Sequence, residues 1–300
     1  MNRRNQDIKN ALANDLGWLA GNVLDIRSPE AFSTGHLRGA ANLPAGVACD
    51  LAPGKLAEKL RHELPSIFLP PREEALLVLG DDGEFTALVA GELGGRGRAE
   101  VSSLVVTPEQ IAALPAGYRE RGSSDHPLWS PPAWLEAHSD LLPPPAAGPV
   151  LDLACGSGRA VVWLAERGYH TTGIDWQPEA LELGRRLAVS RGVACRFLPG
   201  DLRRPETLPA GPWSVVLNFR FLQRDLLARL PALLRPGGVA MIRTFRDVPG
   251  YQGHPAPRHR LQRSELPGFF PAGQFTVLAH AENHDPDGRP AAGIVVRRLA

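Results

Sequence analysis

The chain has 300 residues, 43% of them apolar and 22% charged, with a formal net charge of +1, which is length enough for two domains, each burying its own core. Near-neutral charge, lysine limited to Lys9, Lys55 and Lys59, and arginines spread among acids argue against a nucleic-acid partner, which clustered basic residues would announce. Three scattered cysteines, Cys49, Cys155 and Cys195, exclude a disulfide framework and a CxxC site, so no metal is expected. No apolar run approaches the ~20 residues of a membrane span. The charged start at Met1–Asp7 has no apolar segment behind it, so a cytoplasmic protein without a membrane partner is the expectation.

From the N-terminus, Val23–Ile26 reads as a buried strand and Ser28-Pro29-Glu30 as a turn opening a helix, with Ser28 as N-cap. A second apolar run, Ala75–Leu79, ends at Gly80. The loop Asp81-Asp82-Gly83-Glu84-Phe85 follows, and a helix is expected from Thr86. Asp25-Ile26-Arg27 and Gly35-His36-Leu37-Arg38-Gly39-Ala40, at this separation, resemble rhodanese-like domains over roughly residues 16–105. The resemblance implies an α/β domain with a central parallel sheet, assigned to residues 1–105. Rhodanese chemistry needs a thiolate at the end of the central strand, cradled by backbone N–H groups. Gly80 stands there, so no sulfur lies where a persulfide must form, and three acids follow it. Cys49, past the Asn42-Leu43-Pro44 turn, lies elsewhere in the domain and does not substitute, because a nucleophile and its activating groups must be adjacent. The expectation is a catalytically inactive domain with a structural or docking role, Asp81, Asp82 and Glu84 offering an acidic surface to a protein partner.

Residues 106–147 read as a connector, since Pro127–Pro132 and Leu142–Pro149 are too rich in proline for helix or sheet interiors. A short helix, Ala133–Leu141, is expected to pack on the second domain. Beyond it the pattern alternates. Val150–Leu153, His170–Asp175, Ala194–Leu198, Ser214–Phe219 and Val239–Thr244 read as strands, and Ala160–Arg167, Glu179–Arg191 and Arg224–Leu234 as helices. Phe275–His280 and Gly293–Arg298 read as a closing strand pair at the sheet edge. Such alternation predicts parallel βαβ units and a doubly wound, Rossmann-like sheet over residues 148–300.

In such sheets a ligand sits outside the carboxyl ends of the strands, where strand order reverses. Gly156 and Gly158 fall there after the first strand, letting the backbone turn tightly and approach a ligand, and the helix near Arg159 directs free N–H groups toward it. Asp175 ends the second strand, nineteen residues after Gly156, where a carboxylate accepts from both hydroxyls of a ribose. Asp201 follows the third strand in Gly200-Asp201-Leu202, placed to accept from an adenine amino group.

The run Asp152–Arg159, with Gly173-Ile174-Asp175, Gly200-Asp201-Leu202 and Leu234-Arg235-Pro236-Gly237-Gly238, resembles class I S-adenosylmethionine-dependent methyltransferases over about residues 128–299. Among these it is most similar to the small tellurite-resistance and thiol methyltransferase-like group. The resemblance implies S-adenosyl-L-methionine as cofactor. Asp152, Ala154 and the Gly156/Gly158 loop would then hold its methionine part, Asp175 the ribose, and Asp201 with Leu202 the adenine end. Trp176 would pack on the adenine, and Asn218 and Phe219 would face the sulfonium. A dinucleotide-binding reading lacks its third glycine, because Val161 occupies that place.

After the fourth strand, enzymes that methylate nucleic-acid amines carry (Asn/Asp)-Pro-Pro-(Phe/Tyr), whereas this chain has Asn218-Phe219-Arg220-Phe221. This leaves small molecules or a protein side chain as acceptors. A small molecule is the expectation, with a thiol or chalcogen suggested by the accompanying rhodanese-like resemblance, and a soft nucleophile needs little help from a base. Arg220, Arg224, Arg243 and Arg246 are candidates to recognise an anionic substrate, with Arg220 and Arg224 best placed; the residue types identify no catalytic base. His254, His259 and His284 read as solvated loop residues, and Cys155 as a small buried side chain. Two other functions share parts of this pattern. One is an S-adenosylmethionine-binding regulatory module without turnover. The other is a sulfurtransferase, against which Gly80 stands.

Overall fold

Alternating apolar runs and turn residues give the first half of the chain β1 (Asn22–Asp25), α1 (Pro29–Thr34), β2 (His36–Leu37), β3 (Ala41–Asn42), β4 (Leu76–Gly80), α2 (Gly83–Gly95), β5 (Val101–Val105), α3 (Pro108–Ala112) and β6 (Arg119–Glu120). The structure is a computed structural model and describes residues 22–43, 57–60, 64–124 and 126–300; Cys49, on which a reading was made above, lies outside these. Strands β3-β1-β4-β5 form a parallel sheet in that order. The central β4 is buried along its whole length, as expected of a strand covered on both faces.

Ser28 caps α1, its hydroxyl accepting from the Ala31 N–H at 3.2 Å, and Pro29 follows the cap. The Arg27 guanidinium donates to both oxygens of Asp25, the shortest contact being 2.6 Å, with both side chains buried. The Asn42 amide donates to the carbonyls of Asp25 and Arg27, each at 3.0 Å, fastening the exit of β1 to β3. His36 stacks on Phe32 with ring centroids 3.7 Å apart, and its Nδ1 lies 3.0 Å from the Phe32 carbonyl. The sequence motifs of this half are thus a buried frame around the end of β1.

Helix α2 begins at Gly83, three residues before the expected Thr86. Asp82 is its N-cap, accepting from the Phe85 N–H at 2.7 Å, and the Thr86 hydroxyl donates to the Asp82 carbonyl. The loop after β4 shrinks to Asp81 and Asp82.

The stretch read as a connector, 106–147, is divided between two compact units, Met1–Ser130 and Pro131–Ala300. Val106, Ile111 and Leu114 are buried with Val23, Phe32 and Leu79 in the core of the first, and β6 pairs antiparallel with β2. Apolar side chains between the prolines anchor this stretch despite its composition.

The second unit contains α4 (Ala133–Ala137), β7 (Val150–Leu153), α5 (Arg159–Ala165), β8 (Thr171–Asp175), α6 (Pro178–Ser190), β9 (Arg196–Pro199), β10 (Trp213–Phe219), α7 (Arg224–Leu227), α8 (Leu230–Leu233), β11 (Leu234–Phe245), β12 (Phe275–His284) and β13 (Pro290–Arg298). Its seven-stranded sheet has the order β12-β13-β11-β10-β7-β8-β9. The five strands from β11 to β9 run parallel, and β13 is antiparallel to both its neighbours. Strand order reverses between β7 and β10, which sets the place for a ligand at their carboxyl ends.

Two expectations are corrected here. The helix read over Arg224–Leu234 is two short ones, α7 and α8, because Pro231 in the first turn of the second cannot supply an interior N–H. β11 starts at Leu234 rather than Val239. Leu234 pairs with Trp213 and Val239 with Val215, so Arg235-Pro236-Gly237-Gly238 loops out of register, helped by the left-handed φ of 74° at Gly237.

Breaking the buried Asp25–Arg27 pair from one side leaves an uncompensated carboxylate. Arg27→Met is expected to cost about 3–5 kcal/mol, read as a lower urea midpoint for the first unfolding transition followed by circular dichroism.

Candidate active site

Four strand ends bring the expected residues together. β7 carries Asp152 and runs into Ala154-Cys155-Gly156-Ser157-Gly158, where Ala154, Gly156 and Gly158 all adopt left-handed backbone, φ 54°, 53° and 73°. Gly158 is the N-cap of α5. A Cβ on it would fall 2.5 Å from the Phe197 ring, and one on Gly184 of α6 would fall 2.7 Å from the same ring. Bare α-carbons therefore let β9 and α6 close on the loop.

The third glycine of a dinucleotide fingerprint has a counterpart on the strand. A Cβ at Gly173 of β8 would lie 2.9 Å from a Val161 methyl and 2.7 Å from the Cys155 sulfur. The helix keeps its valine and the strand gives up its side chain, so α5 still approaches the sheet closely. Burial pushes the Cys155 thiol up, with the charges of Asp152 and Asp175 adding to the effect; this cysteine is a packing residue.

Asp175 ties the loop to β8. One oxygen accepts from the Gly156 N–H at 2.8 Å and the other from the Gln177 N–H at 3.0 Å. A carboxylate oxygen has two lone-pair sites, so each keeps one for a ribose hydroxyl. Next to it Trp176 is 64% exposed, leaving its ring surface open for stacking.

Asp152 stands on the same sheet face as Gly173, its register partner. It is buried, and its Oδ1 has no hydrogen-bond partner. Burial, with Asp175 as the lesser cause, raises its carboxyl well above the ordinary value. A buried unpaired oxygen of this kind suits a cationic amino group, as at the methionine end of S-adenosylmethionine.

Asn218, at the carboxyl end of β10, is fully buried with neither amide atom paired, while Phe219 is half-buried. Leu202 sends its side chain into the core cluster with Leu226 and Ile174, so its backbone is what it offers to a ligand. Asp201 is already engaged. Arg203 forks onto it at 2.9 and 2.8 Å, and with the Arg203 backbone N–H holds its carboxyl down at about 2.

The arginines read as substrate candidates have intramolecular partners. Arg224 grips both oxygens of Glu265 and donates to the carbonyls of Arg258 and Arg260, which makes it a clamp on the chain after β11. Arg220, with φ 59°, pairs with Asp287 at 2.9 Å and Asp285 at 3.6 Å. His254, His259 and His284 are exposed. Sequence reasoning underrated Arg243, whose place among Met241, Ile242 and Phe245 was its signal, and missed Arg260. Arg260 is buried and donates to Asp247 and to the carbonyls of Tyr251, Gly253 and Pro255, folding residues 247–260 around itself. Among the described residues no group of three or more His, Cys, Asp or Glu could hold a metal, and no helix is long and apolar enough to cross a membrane.

With this geometry in view, residues 150–238 match the family described as "Methyltransferase domain". They are a class I S-adenosylmethionine-dependent methyltransferase domain. The chain is 32% identical to ribosomal RNA small subunit methyltransferase C of Alcanivorax borkumensis over 35% of this chain and 34% of that protein. It is 34% identical to demethylmenaquinone methyltransferase of Thermus thermophilus over 39% of this chain and 56% of that protein. The chain thus spans about a third to a half of the length of these two relatives. An uncharacterized protein of Schizosaccharomyces pombe is 24% identical over 92% of this chain and 93% of its own. Among solved structures, TehB from Haemophilus influenzae is similar at 17% identity and a TM-score of 0.46, covering 55% of this chain and 60% of that one.

Asp152 carries a testable sign. Its folded value lies above the ordinary 3.8, so the folded chain holds this proton more tightly than the unfolded one. The stabilisation is complete below 3.8 and is lost as pH rises through the folded value. Asp152→Asn removes that loss. Ligand-free thermal melts of the variant are expected to be flatter than wild type from about pH 4 upward and higher at neutral pH, while its binding of S-adenosylmethionine weakens.

Proposed function

We propose that the chain is an S-adenosylmethionine-dependent methyltransferase of a small-molecule acceptor, with a thiol or chalcogen as the favoured class. The observation that carries the reading is the Asp175 carboxylate. It welds the glycine loop to β8 through the Gly156 and Gln177 N–H groups and keeps acceptor capacity on both oxygens. The fit extends to the methionine end, where the unpaired Oδ1 of buried Asp152 suits an ammonium. On the neighbouring β10, Leu217 is the register partner of Asp152, and Phe219, two residues further on, shares its face. The cofactor supplies an electrophilic methyl group; the chain supplies alignment and exclusion of water.

A soft acceptor is favoured because the candidate histidines are exposed and the carboxylates Asp201, Asp285 and Asp287 are tied to arginines. A nucleophile that ionises on its own is best served by such a site. The absence of a Pro-Pro pair after Asn218 and the near-neutral charge favour a small molecule over RNA. The T. thermophilus relative, named for demethylmenaquinone, is consistent with a small-molecule acceptor.

The N-terminal unit is read as a rhodanese-like module without sulfurtransferase chemistry. A Cβ on Gly80 would overlap the Thr86 hydroxyl, so the position a thiolate needs is filled from α2. Its exposed acids remain a candidate surface for a protein partner.

Calorimetry with S-adenosylmethionine tests the reading. Wild type is expected to bind, and Asp175→Ala to bind about 10- to 100-fold more weakly. Labelled methyl transfer is expected to small thiols and not to RNA. An absence of binding by the wild type sinks the reading; binding without turnover on a broad panel turns it into a cofactor-sensing module.

A further inference from the structure

Arg243 is a buried arginine held rigidly with one end unspent. Its side chain is 7% exposed. Its Nε donates to Asp285 at 2.7 Å and its Nη2 to Asn283 at 2.7 Å, both in the β12–β13 hairpin, while Nη1 has no partner. The Trp134 ring of α4 lies against the guanidinium, 4.9 Å from its carbon, and the buried indole Nε1 is also unpartnered. Gly293 of β13 makes room for the pair: a Cβ there would fall 2.8 Å from the Trp134 ring and 3.0 Å from Arg243 Cδ. The stack is therefore built into the sheet.

Both orphaned groups are donors, so what satisfies them must be an acceptor. The charges agree. Arg220, Arg243 and Arg289 share only Asp285 and Asp287, so the cluster carries one positive charge in excess. Its place is set by register. Arg243 pairs with Phe219, Met241 with Leu217, and Leu217 with Asp152. In parallel strands, partners in register face one way, so Asp152, Phe219 and Arg243 stand on one face at the carboxyl end of three adjacent strands.

We propose that Arg243 Nη1 and Trp134 Nε1 form a carboxylate-binding corner of the methyl-transfer site. The inference rests on the methyltransferase reading for its setting. A carboxylate could arrive on the cofactor's methionine end or on the acceptor, and both present two oxygens to a guanidinium backed by an indole N–H. In either case Arg243 holds the ligand's anionic end while Asp152, two strands away, faces a cation.

Two arms separate the sources. In the first, S-adenosylmethionine and its decarboxylated analogue are titrated calorimetrically into wild type, Arg243→Met and Arg243→Lys. If the cofactor carboxylate is held, wild type prefers S-adenosylmethionine by about tenfold or more and both variants lose that preference. In the second, the Trp134 indole N–H resonance, assigned with Trp134→Phe, is followed as benzoate is added with and without S-adenosylhomocysteine. If the acceptor carboxylate is held, benzoate shifts that resonance in the S-adenosylhomocysteine complex and Arg243→Lys abolishes the shift. No preference in the first arm together with no benzoate shift in the second overturns the proposal. Arg243→Lys keeps the charge beside Asp285, so it guards against a variant that fails to fold. If the wild type binds neither cofactor form, the methyltransferase reading falls, and benzoate on the ligand-free protein still decides the corner.

Discussion

The carboxylate of Asp175 is the fastening on which the ligand end of the second unit depends. Three left-handed residues follow one another closely after β7, and one of them, Ala154, carries a Cβ, a conformation that costs of order 1 kcal/mol or more. What holds the turn is a set of bonds to β8: the Gly156 N–H to Asp175 and the Cys155 N–H to the Ile174 carbonyl at 3.0 Å. The packing of Phe197 over bare Gly158 and Gly184 closes it from the other side. A loop fixed in this way presents its N–H groups in one arrangement before any ligand arrives, which lowers the ordering cost of binding.

The same region stores unmet polar groups. Asp152 Oδ1, both amide atoms of Asn218, Arg243 Nη1 and Trp134 Nε1 are buried without partners, each at a cost of roughly 1–3 kcal/mol. They are spread over β7, β10, β11 and α4 and include acceptors as well as donors. A ligand carrying both signs of charge answers such a set better than a neutral one. A ligand that satisfied them would raise stability on binding. Behind them Leu151, Val216, Ile242 and Ile294 make an apolar core.

How much of this the chain declares in advance depends on the range of the interaction. The parallel strands, the glycine turn and the acids at the ends of β8 and β9 are local patterns, and Asp152, Asp175 and Asp201 were legible as a group because strand ends converge by topology. The shortened loop before α2 was hidden because Asp82 reads equally well as a loop acid and as an N-cap. The break between α7 and α8 was hidden because Pro231 is permitted in a first turn, so its position relative to the true start decided the outcome. Arg224 and Arg243 could not be told apart from sequence. One is given to Glu265, forty-one residues on, and the other to Asp285, forty-two residues on, and only the fold says which of them keeps an N–H to spare. Gly173 was read as part of a strand motif, yet its missing side chain does the work assigned elsewhere to a third glycine in the helix.

The first unit separates frame from chemistry. Its buried Asp25–Arg27 pair, the Asn42 amide and the Phe32–His36 stack all act at the end of β1. None of them requires a reactive group after β4. At that second strand end the Thr86 hydroxyl occupies the space a side chain on Gly80 would need, and it is bonded back to the Asp82 carbonyl. The fold can persist intact with no nucleophile, since the interactions that stabilise it are disjoint from those a reaction would use. Of the acids after β4, Asp82 caps α2, where a carboxylate also favours the helix dipole. Asp82 nonetheless stays exposed with Asp81 and Glu84, so capping takes one oxygen and leaves three carboxylate charges at this end.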